Sequence, residues 1–259
     1  MKVLFVGDVV GRPGRYILKK FIPQIKEEHK IDIIIANGEN AAGGHGITYQ
    51  VANELFDCGV HMVTLGNHAW DKKEIMDFID TEERIIRPEN YPACTPGRGY
   101  KIISKNYLEI AIINLQGRVF MQPLECPFRT MDRIIEKISG RTNIIIVDFH
   151  AEATSEKAAL GYYLDGRVSA VVGTHTHIQT ADEKVLPKGT AYITDVGMTG
   201  PSESILGVKI ENIITRFLTQ LPNRFDVATG RSQLNAVVID INNQTGSAVN
   251  IMRLQRYCE

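Results

Sequence analysis

The sequence predicts an α/β protein in which helices cover a mixed sheet. Seven short segments rich in branched apolar residues indicate buried strands, and most of them end in Gly, Asn, Asp or His. The strand segments are KVLFVGD, DIIIANGE, HMVTLGN, IAIINLQG, NIIIVDFH, SAVVGTH and AYITDVG. Amphipathic stretches between many of them predict helices: RYILKKFIPQIKEEH, TYQVANELFDCG and PFRTMDRIIEKISG. Near-continuous apolar strands that alternate with helices are typical of a sheet covered by helices.

Two hairpins make the predicted sheet mixed rather than purely parallel. GYKIIS and LEIAIINL are separated by the turn-like KNY, and NAVVIDIN and SAVNIMRLQ flank NQTG. We find no internal repeat and no low-complexity segment in the 259 residues. Residues 1–259 are therefore expected to form a single domain.

The composition is typical of a soluble globular protein: 44% of the residues are hydrophobic, 23% are charged, and the formal net charge is −1. A nearly neutral chain lacks the basic surface that binds duplex nucleic acid, but a small nucleotide substrate stays open. The N-terminal apolar run is short and interrupted by Asp8, unlike a signal peptide, and no stretch is long enough to span a bilayer. Four scattered cysteines without a C-x-x-C pair predict reduced thiols in a cytoplasmic protein, with an intermolecular disulfide as the alternative: Cys58, Cys94, Cys126 and Cys258.

Polar side chains of the kind that bind metals follow the predicted strands. They are Asp8, Glu39, Asn40, Asn67, His68, His150, His175 and His177. Ligands of open α/β sheets bind beyond the carboxyl ends of the strands, so these side chains are expected at one rim. In extended backbone, residues i and i+2 point the same way, so His175 and His177 are expected to project together as a pair of metal ligands.

Each of these residues also has a purely structural interpretation. Asp8 could cap a helix, Glu39 and Asn40 could be loop residues, and the histidines could be solvated or hydrogen-bonded at turns and strand ends. The coincidence of ligand-type residues at five strand ends favours a metal site. Phosphate loops fit less well, because GDVVGRPG lacks the G-x-x-x-x-G-K-[ST] spacing and GENAAGGHG does not match G-x-G-x-x-G.

The order Asp, Glu, Gly-Asn-His, His, His-x-His resembles the calcineurin-like metallophosphoesterase superfamily. Longer motifs resemble its YmdB-like branch over residues 7 to about 201: GDVVGRPGR, NGENAAGGHGIT, TLGNHAWD, DFHAEATSEK, GTHTHIQTAD and TDVGMTGP. The resemblance implies an αββα sandwich, two mixed sheets flanked by helices, with a two-metal site that hydrolyses phosphodiesters. It also implies 2′,3′-cyclic nucleotides as substrates, ahead of 3′,5′-cyclic ones.

The resemblance also implies a distribution of ligands. Asp8, Glu39, Asn40 and His177 would hold the first metal, Asn67, His150 and His175 the second, and Glu39 would bridge them. The superfamily usually has Asp-x-His where this chain has Asp8-Val9-Val10, and usually has Asp where this chain has Glu39; both differences match the branch. Asn40 is the candidate to replace the missing imidazole, and His45 is the alternative. Oxygen and nitrogen ligands without a thiolate favour iron or manganese as the two divalent ions, with zinc or magnesium as alternatives.

By the same resemblance His68 would approach the leaving oxygen, as a general acid or as a hydrogen-bond donor to phosphate, while a hydroxide between the two metals would attack phosphorus. Asp71 would orient His68 or else cap a helix, and Arg12, Arg15 and Arg118 are candidate phosphate contacts. Two other functions stay open: another metal-dependent hydrolase, acting on a phosphomonoester, a nucleotide pyrophosphate or an amide, and a metal-bearing regulatory protein that acts through a partner. A homo-oligomer also stays open, with the TDVGMTGPSES loop as an interface or a lid.

Overall fold

The computed structural model describes residues 1–258, which form five α-helices and fourteen strands. The helices are α1 (Gly11–His29), α2 (Tyr49–Asp57), α3 (Pro127–Ile138), α4 (Thr154–Tyr163) and α5 (Ile210–Thr219), with a 3₁₀ turn at Lys73–Asp77. The strands are β1 (Lys2–Val6), β2 (Asp8–Val9), β3 (Ile33–Asn37), β4 (Met62–Thr64), β5 (Ile85–Ile86), β6 (Tyr100–Lys105), β7 (Leu108–Gln116), β8 (Ile144–His150), β9 (Ala170–Thr174), β10 (Lys184–Val185), β11 (Ala191–Ile193), β12 (Met198–Pro201), β13 (Ser232–Ile241) and β14 (Ala248–Cys258).

These strands form two mixed sheets. The first runs in the order β2-β12-β13-β1-β3-β4-β5, with β14 also paired to β13, and the second in the order β10-β11-β9-β8-β7-β6. Strands β1, β3, β4 and β5 are mutually parallel, as are β7, β8, β9 and β11. Both predicted hairpins, β6–β7 and β13–β14, are confirmed as antiparallel pairs.

Alternation along the strands separates three apolar cores. In β1, Val3 and Phe5 pack in a core shared by both sheets, whereas Leu4 and Val6 pack with the apolar faces of α1 and α2. In the second sheet Ile112 lies in the shared core, and its neighbours along β7 pack with α3 and α4. The layers are therefore helix, sheet, sheet, helix, and the expected αββα sandwich is confirmed.

Short elements and element ends depart from the sequence prediction. Helix α1 begins at Gly11, four residues before the predicted segment, and the short strands β2 and β12 were not predicted. Two-residue and four-residue strands carry too few side chains for a period to be visible, and β2 joins the sheet through β12, which in turn pairs with β13. No helix within residues 1–258 combines the length and apolar character needed to cross a membrane.

Candidate metal centre

The two sheets deliver the predicted ligands to one edge of the sandwich. From the first sheet, Asp8 lies in β2, Glu39 and Asn40 follow β3, and Asn67 follows β4. From the second sheet, His150 is the last residue of β8, and the GTHTH loop with its two histidines follows β9. Since the neighbouring strands in each set are parallel, the side chains beyond their carboxyl ends meet.

The densest group of donors surrounds Nε2 of His150. Asn67 Oδ1 lies 2.9 Å from this nitrogen, and Glu39 Oε1 and His175 Nδ1 each lie 3.0 Å from it. Glu39, His150 and His175 each offer a ligand atom within 4.8 Å of the others. Lone pairs at these distances repel one another unless a proton on Nε2 of His150 or a bound cation lies among them.

Each of the three histidines has one ring nitrogen held by an acceptor, which leaves the other free to bind a cation. The contacts are His150 Nδ1 to Thr174 Oγ1 at 2.9 Å, His175 Nε2 to Glu152 Oε2 at 3.1 Å, and His177 Nδ1 to the Leu206 carbonyl at 3.0 Å. The Thr174 hydroxyl donates its proton to Asp148 Oδ1, 2.8 Å away, so its oxygen accepts a hydrogen bond from His150. Such contacts fix the tautomer of metal-binding histidines.

Two buried oxygens in the site have no hydrogen-bond partner among the described residues: Asp8 Oδ1 and Asn40 Oδ1. The other side of each group is satisfied, since Asp8 Oδ2 accepts from the His175 backbone at 3.2 Å and Asn40 Nδ2 donates to the Gly44 carbonyl at 2.9 Å. An unpaired buried carboxylate or amide oxygen is costly, and a bound cation removes that cost. This donor set of carboxylates, amides and oriented imidazoles fits divalent metal ions.

Burial and charge compete in setting the pKa values at the site. Burial raises the pKa of Asp8 despite the opposing charges of His177 and His150. Burial also acts to raise the pKa of Glu39, but His150 outweighs it and lowers that pKa to about 2. Burial acts to lower the pKa of His150, but Glu39 reverses this and raises it to about 9. For His175, burial and the charge of His150 lower the pKa to about 3, which keeps this imidazole neutral as metal binding requires.

The conformation predicted for the two histidines of GTHTH is wrong. Strand β9 ends at Thr174, and both His175 (φ 104°) and His177 (φ 66°) have positive φ rather than extended backbone. The side chains therefore do not project together: His175 meets His150 and Glu152, and His177 meets Leu206. Positive φ is unfavourable for these residues and persists only where surrounding contacts enforce it.

Those contacts come from Asp195, in the TDVGMTGPSES segment. Its Oδ2 accepts hydrogen bonds from the Thr176 backbone at 3.0 Å and the Thr176 hydroxyl at 2.8 Å, between the two histidines. The same oxygen lies 2.7 Å from Lys157 Nζ, and both side chains are almost completely buried. This part of the segment acts as a buried support for the GTHTH loop, a role that differs from the interface or lid considered for it from the sequence.

His68 lies beside the cluster rather than within it. Its backbone N–H donates to Glu39 Oε2 at 2.8 Å, and its Nδ1 lies 2.8 Å from Asp71 Oδ2. Of the two roles considered for Asp71, only the contact with His68 is present, because the nearby 3₁₀ turn is capped at Lys72 without a side-chain bond. Asp71 thus fixes the orientation of the His68 ring.

The cluster opens onto a cleft of about 960 Å³ that Asn40, His68 and His177 all line. Of the three candidate arginines, Arg12 lines this cleft, whereas Arg15 donates to Glu54 and to the Ala41 carbonyl, and Arg118 lies exposed after β7. His45, the alternative replacement for the missing imidazole, lines the cleft and is exposed, whereas Asn40, the first candidate, is buried with its Oδ1 unpaired.

Several residues that build the site were not predicted. They are Asp148, Glu152, Lys157, Thr174, Asp195 and Leu206. A signal existed for Asp148, which precedes His150 by two residues on β8 and would share its face. Gly66 was quoted only as part of a motif, yet a Cβ there would lie 2.3 Å from His150 Cδ2 and 2.5 Å from Glu39 Oε2.

Solved structures share this architecture. A crystal structure titled a novel phosphatase from Mycoplasma pneumoniae superposes with a TM-score of 0.94 at 34% identity, over 99% of this chain and 93% of that one. A 5′-nucleotidase precursor from Thermus thermophilus shares the fold alone, with a TM-score of 0.59 at 12% identity over 98% of this chain and 54% of that one. With the donor cluster at the strand ends, the fold defines an enzyme of the metallophosphoesterase class.

The sequence comparisons narrow this class to one family. The chain belongs to the YmdB-like proteins, whose family model matches residues 4–254. It is 56% identical over 254 residues to the 2′,3′-cyclic-nucleotide 2′-phosphodiesterase of Bacillus subtilis (strain 168), covering 98% of this chain and 96% of that protein. The resemblance inferred from the motifs is confirmed.

Proposed function

We propose that this metallophosphoesterase hydrolyses 2′,3′-cyclic nucleotides at a site that holds two divalent cations. The observation that carries the proposal is the convergence of Asn67, Glu39 and His175 on Nε2 of His150, at 2.9–3.0 Å. The substrate class follows that of the relative from Bacillus subtilis, a 2′,3′-cyclic-nucleotide 2′-phosphodiesterase.

The ligands divide into two groups that share Glu39. Asp8, Glu39, Asn40 and His177 would hold one cation, and Glu39, Asn67, His150 and His175 the other. The unpaired oxygens of Asp8 and Asn40 support the first group, and the crowding around His150 supports the second. Ligands of this kind without thiolates favour iron or manganese. When bound, the cations supply Lewis acidity and lower the pKa of water towards neutrality.

The charge balance of the site suits a phosphodiester. Two carboxylates, Asp8 and Glu39, leave two divalent cations with an excess of positive charge, while the amides and imidazoles add none. A monoanionic phosphodiester is therefore attracted, and negative charge that develops on its oxygens is stabilised.

His68 is the candidate general acid. Asp71 accepts from Nδ1 at 2.8 Å, which leaves Nε2 as the ring nitrogen that can pass a proton to the leaving ribose oxygen. The contact between the His68 backbone and Glu39 Oε2 fixes the distance of this residue from the ligand cluster. Proton transfer of this kind typically contributes about 10²- to 10⁴-fold in rate.

The test joins metal content to activity. Protein purified without chelator would be analysed by ICP-MS and assayed on 2′,3′-cyclic AMP, as wild type, His175→Ala and the control His29→Ala at the end of α1. We expect close to two metals per chain in wild type and control, with metal and activity lost together in His175→Ala. Wild-type protein that stays metal-free and inactive after incubation with manganese or iron would overturn the proposal.

Phosphomonoester hydrolysis is the second candidate, because the Mycoplasma pneumoniae structure is titled a phosphatase. The same metals could serve both reactions. Bis-p-nitrophenyl phosphate compared with p-nitrophenyl phosphate separates them: we expect the diester to be preferred, and a clear preference for the monoester would favour the second candidate.

A further inference from the structure

The cleft beside the ligand cluster continues well past the groups that the hydrolytic reaction uses. Its volume of about 960 Å³ lies at the upper end of the range for small-molecule sites. Half of its lining comes from residues 206–209 and 224–229, the two ends of the stretch 206–229, and these include Leu206, Val208, Phe225 and Val227. We call this stretch the 206–229 segment.

The 206–229 segment forms one wall of the cleft and is held together by its own hydrogen bonds. The Lys209 N–H donates to the Asp226 carbonyl and the Ala228 N–H to the Gly207 carbonyl, each at 2.9 Å. Asn212, on α5, donates to the Arg224 carbonyl at 2.8 Å. These bonds join the residues before and at the start of α5 to residues 224–228, which follow this helix.

The wall is also fixed to the rest of the site. The methyl groups of Val227 lie 2.9 Å from where a Cβ would stand at Gly44 and 3.2 Å from the corresponding point at Gly11. Both glycines have positive φ, so a side chain there would meet strain as well as crowding. The Leu206 carbonyl at the start of the segment accepts from His177, which sets the wall relative to the ligand cluster.

Phe225 is the flat apolar surface of this wall. It lines the cleft and is 49% exposed, although it is a large aromatic side chain. The guanidinium of Arg216, on α5, lies 5.1 Å from the centroid of the ring and holds it from one side. An aromatic ring held in place and open to a cleft is a stacking surface for a planar ligand group.

The charged groups that line the cleft suit a nucleotide. Next to Phe225, Asp226 lies 2.9 Å from Arg224 and 3.9 Å from Lys209, so these charges are largely internal pairs. The cleft is also lined by His68, Asp71, His177 and the exposed Arg12, which belong to or adjoin the candidate metal centre. A cyclic nucleotide has an anionic phosphate at one end and a neutral planar base at the other.

We propose that the 206–229 segment forms the nucleobase subsite, with the base stacked on Phe225. This inference rests on the proposed function and specifies where the substrate's base binds. Stacking recognises every base, so we expect similar acceptance of purines and pyrimidines, with tighter binding of the larger purine rings.

The test compares two substrates on four proteins. The substrates are 2′,3′-cyclic AMP and methyl riboside 2,3-cyclic phosphate, which keeps the reacting ring and lacks the base. The proteins are wild type, Phe225→Ala, Phe225→Tyr and the matched control Phe217→Ala, whose ring lies on α5 and is 74% exposed. We expect Phe225→Ala to raise KM for cyclic AMP about five- to tenfold without changing kcat. Its KM and kcat for the base-free substrate should equal those of wild type. Phe225→Tyr and Phe217→Ala should behave as wild type on both substrates.

Saturation-transfer NMR with adenosine, which has no phosphate, tests the subsite separately from hydrolysis. Transfer is expected in wild type and Phe225→Tyr and a strong decrease in Phe225→Ala. An unchanged KM in Phe225→Ala, an equal loss on both substrates, or no transfer from wild type would overturn the subsite. Wild-type protein that binds adenosine but hydrolyses neither cyclic phosphate would instead overturn the proposed function and leave the subsite supported.

Discussion

Thr174 and His150, the last residues of two neighbouring strands, face each other in register and are joined by a hydrogen bond of 2.9 Å between Oγ1 and Nδ1. The threonine passes its own proton to Asp148, a fully buried carboxyl whose pKa burial raises to about 7. The chain from Asp148 through Thr174 fixes the proton on Nδ1 of His150 and leaves Nε2 directed at the donor cluster.

Replacing the hydroxyl of Thr174 by a methyl group tests this chain. Thr174→Val keeps the shape of the side chain but leaves the His150 N–H unpaired, so the tautomer is no longer fixed. Loss of such a partner typically weakens metal binding about 10- to 100-fold. Titration of manganese against a competing chelator would measure the change, and Thr174→Ser should restore wild-type affinity. Equal affinity in wild type and Thr174→Val would contradict the role assigned to the hydroxyl.

Breaking the buried ion pair between Lys157 and Asp195 should lower stability strongly. Both side chains are almost completely buried, 2.7 Å apart, so removing one leaves an uncompensated buried charge. We expect Lys157→Met to lower the free energy of unfolding by about 3–5 kcal/mol. Lys101→Met is the matched control, because Lys101 pairs with the exposed Glu83 and should cost about 1 kcal/mol or less. Urea unfolding of both variants measures the difference. Similar losses in the free energy of unfolding would show that burial of the Lys157–Asp195 pair does not increase the cost of breaking it.

Gly66 should tolerate no side chain without loss of the metal centre. A Cβ at this position would overlap His150 and Glu39, two residues of the donor cluster. Gly66→Ala is expected to lower metal content by ICP-MS while circular dichroism stays close to that of wild type. Gly140→Ala serves as the control: no atom lies within 4 Å of its added Cβ, and its positive φ costs only about 1 kcal/mol. Full metal content in Gly66→Ala would mean that the cluster can shift to make room.

Stability should decrease on mild acidification because of His61. Its Nδ1 accepts from the Ile34 backbone at 3.1 Å, and burial, with Lys105 and Lys26, lowers its pKa below the ordinary 6.5. The unfolded chain then binds more protons than the folded one, so this contribution is complete above pH 6.5 and is lost as pH falls towards the folded pKa. Asn at position 61 can accept the same bond without titrating. Urea unfolding at pH 7.5 and 5.5 should show a smaller loss in His61→Asn than in wild type, and equal losses would assign the effect to other groups.

The layered fold could be predicted from the sequence because the side chains of a strand alternate between its two faces, and this alternation is visible in neighbouring residues. Val3 and Phe5 differ in environment from Leu4 and Val6 only through the pleat, and a short apolar run already carries that information. The positions of Glu39, Asn67 and His150 followed in the same way, since each stands at or just beyond a strand end.

The conformation of the GTHTH loop could not be read in this way. It depends on Asp195, which lies twenty residues from His175 along the chain and acts through a bond to Thr176. The same holds for the 206–229 segment, where Val227 meets Gly11 and Gly44 across the cleft. Such contacts bring together distant parts of the chain and leave no periodic trace in either part.

The hydrogen bond between His177 and the Leu206 carbonyl connects the wall of the cleft directly to the candidate metal ligands. The same carbonyl orients an imidazole of the cluster and begins the segment that carries Phe225. If a bound cation changes the affinity for a nucleoside by some factor, a bound nucleoside must change the affinity for the cation by the same factor. If the cleft binds the nucleotide and the cluster binds the cation as proposed, retention of the metal would depend on the concentration of substrate.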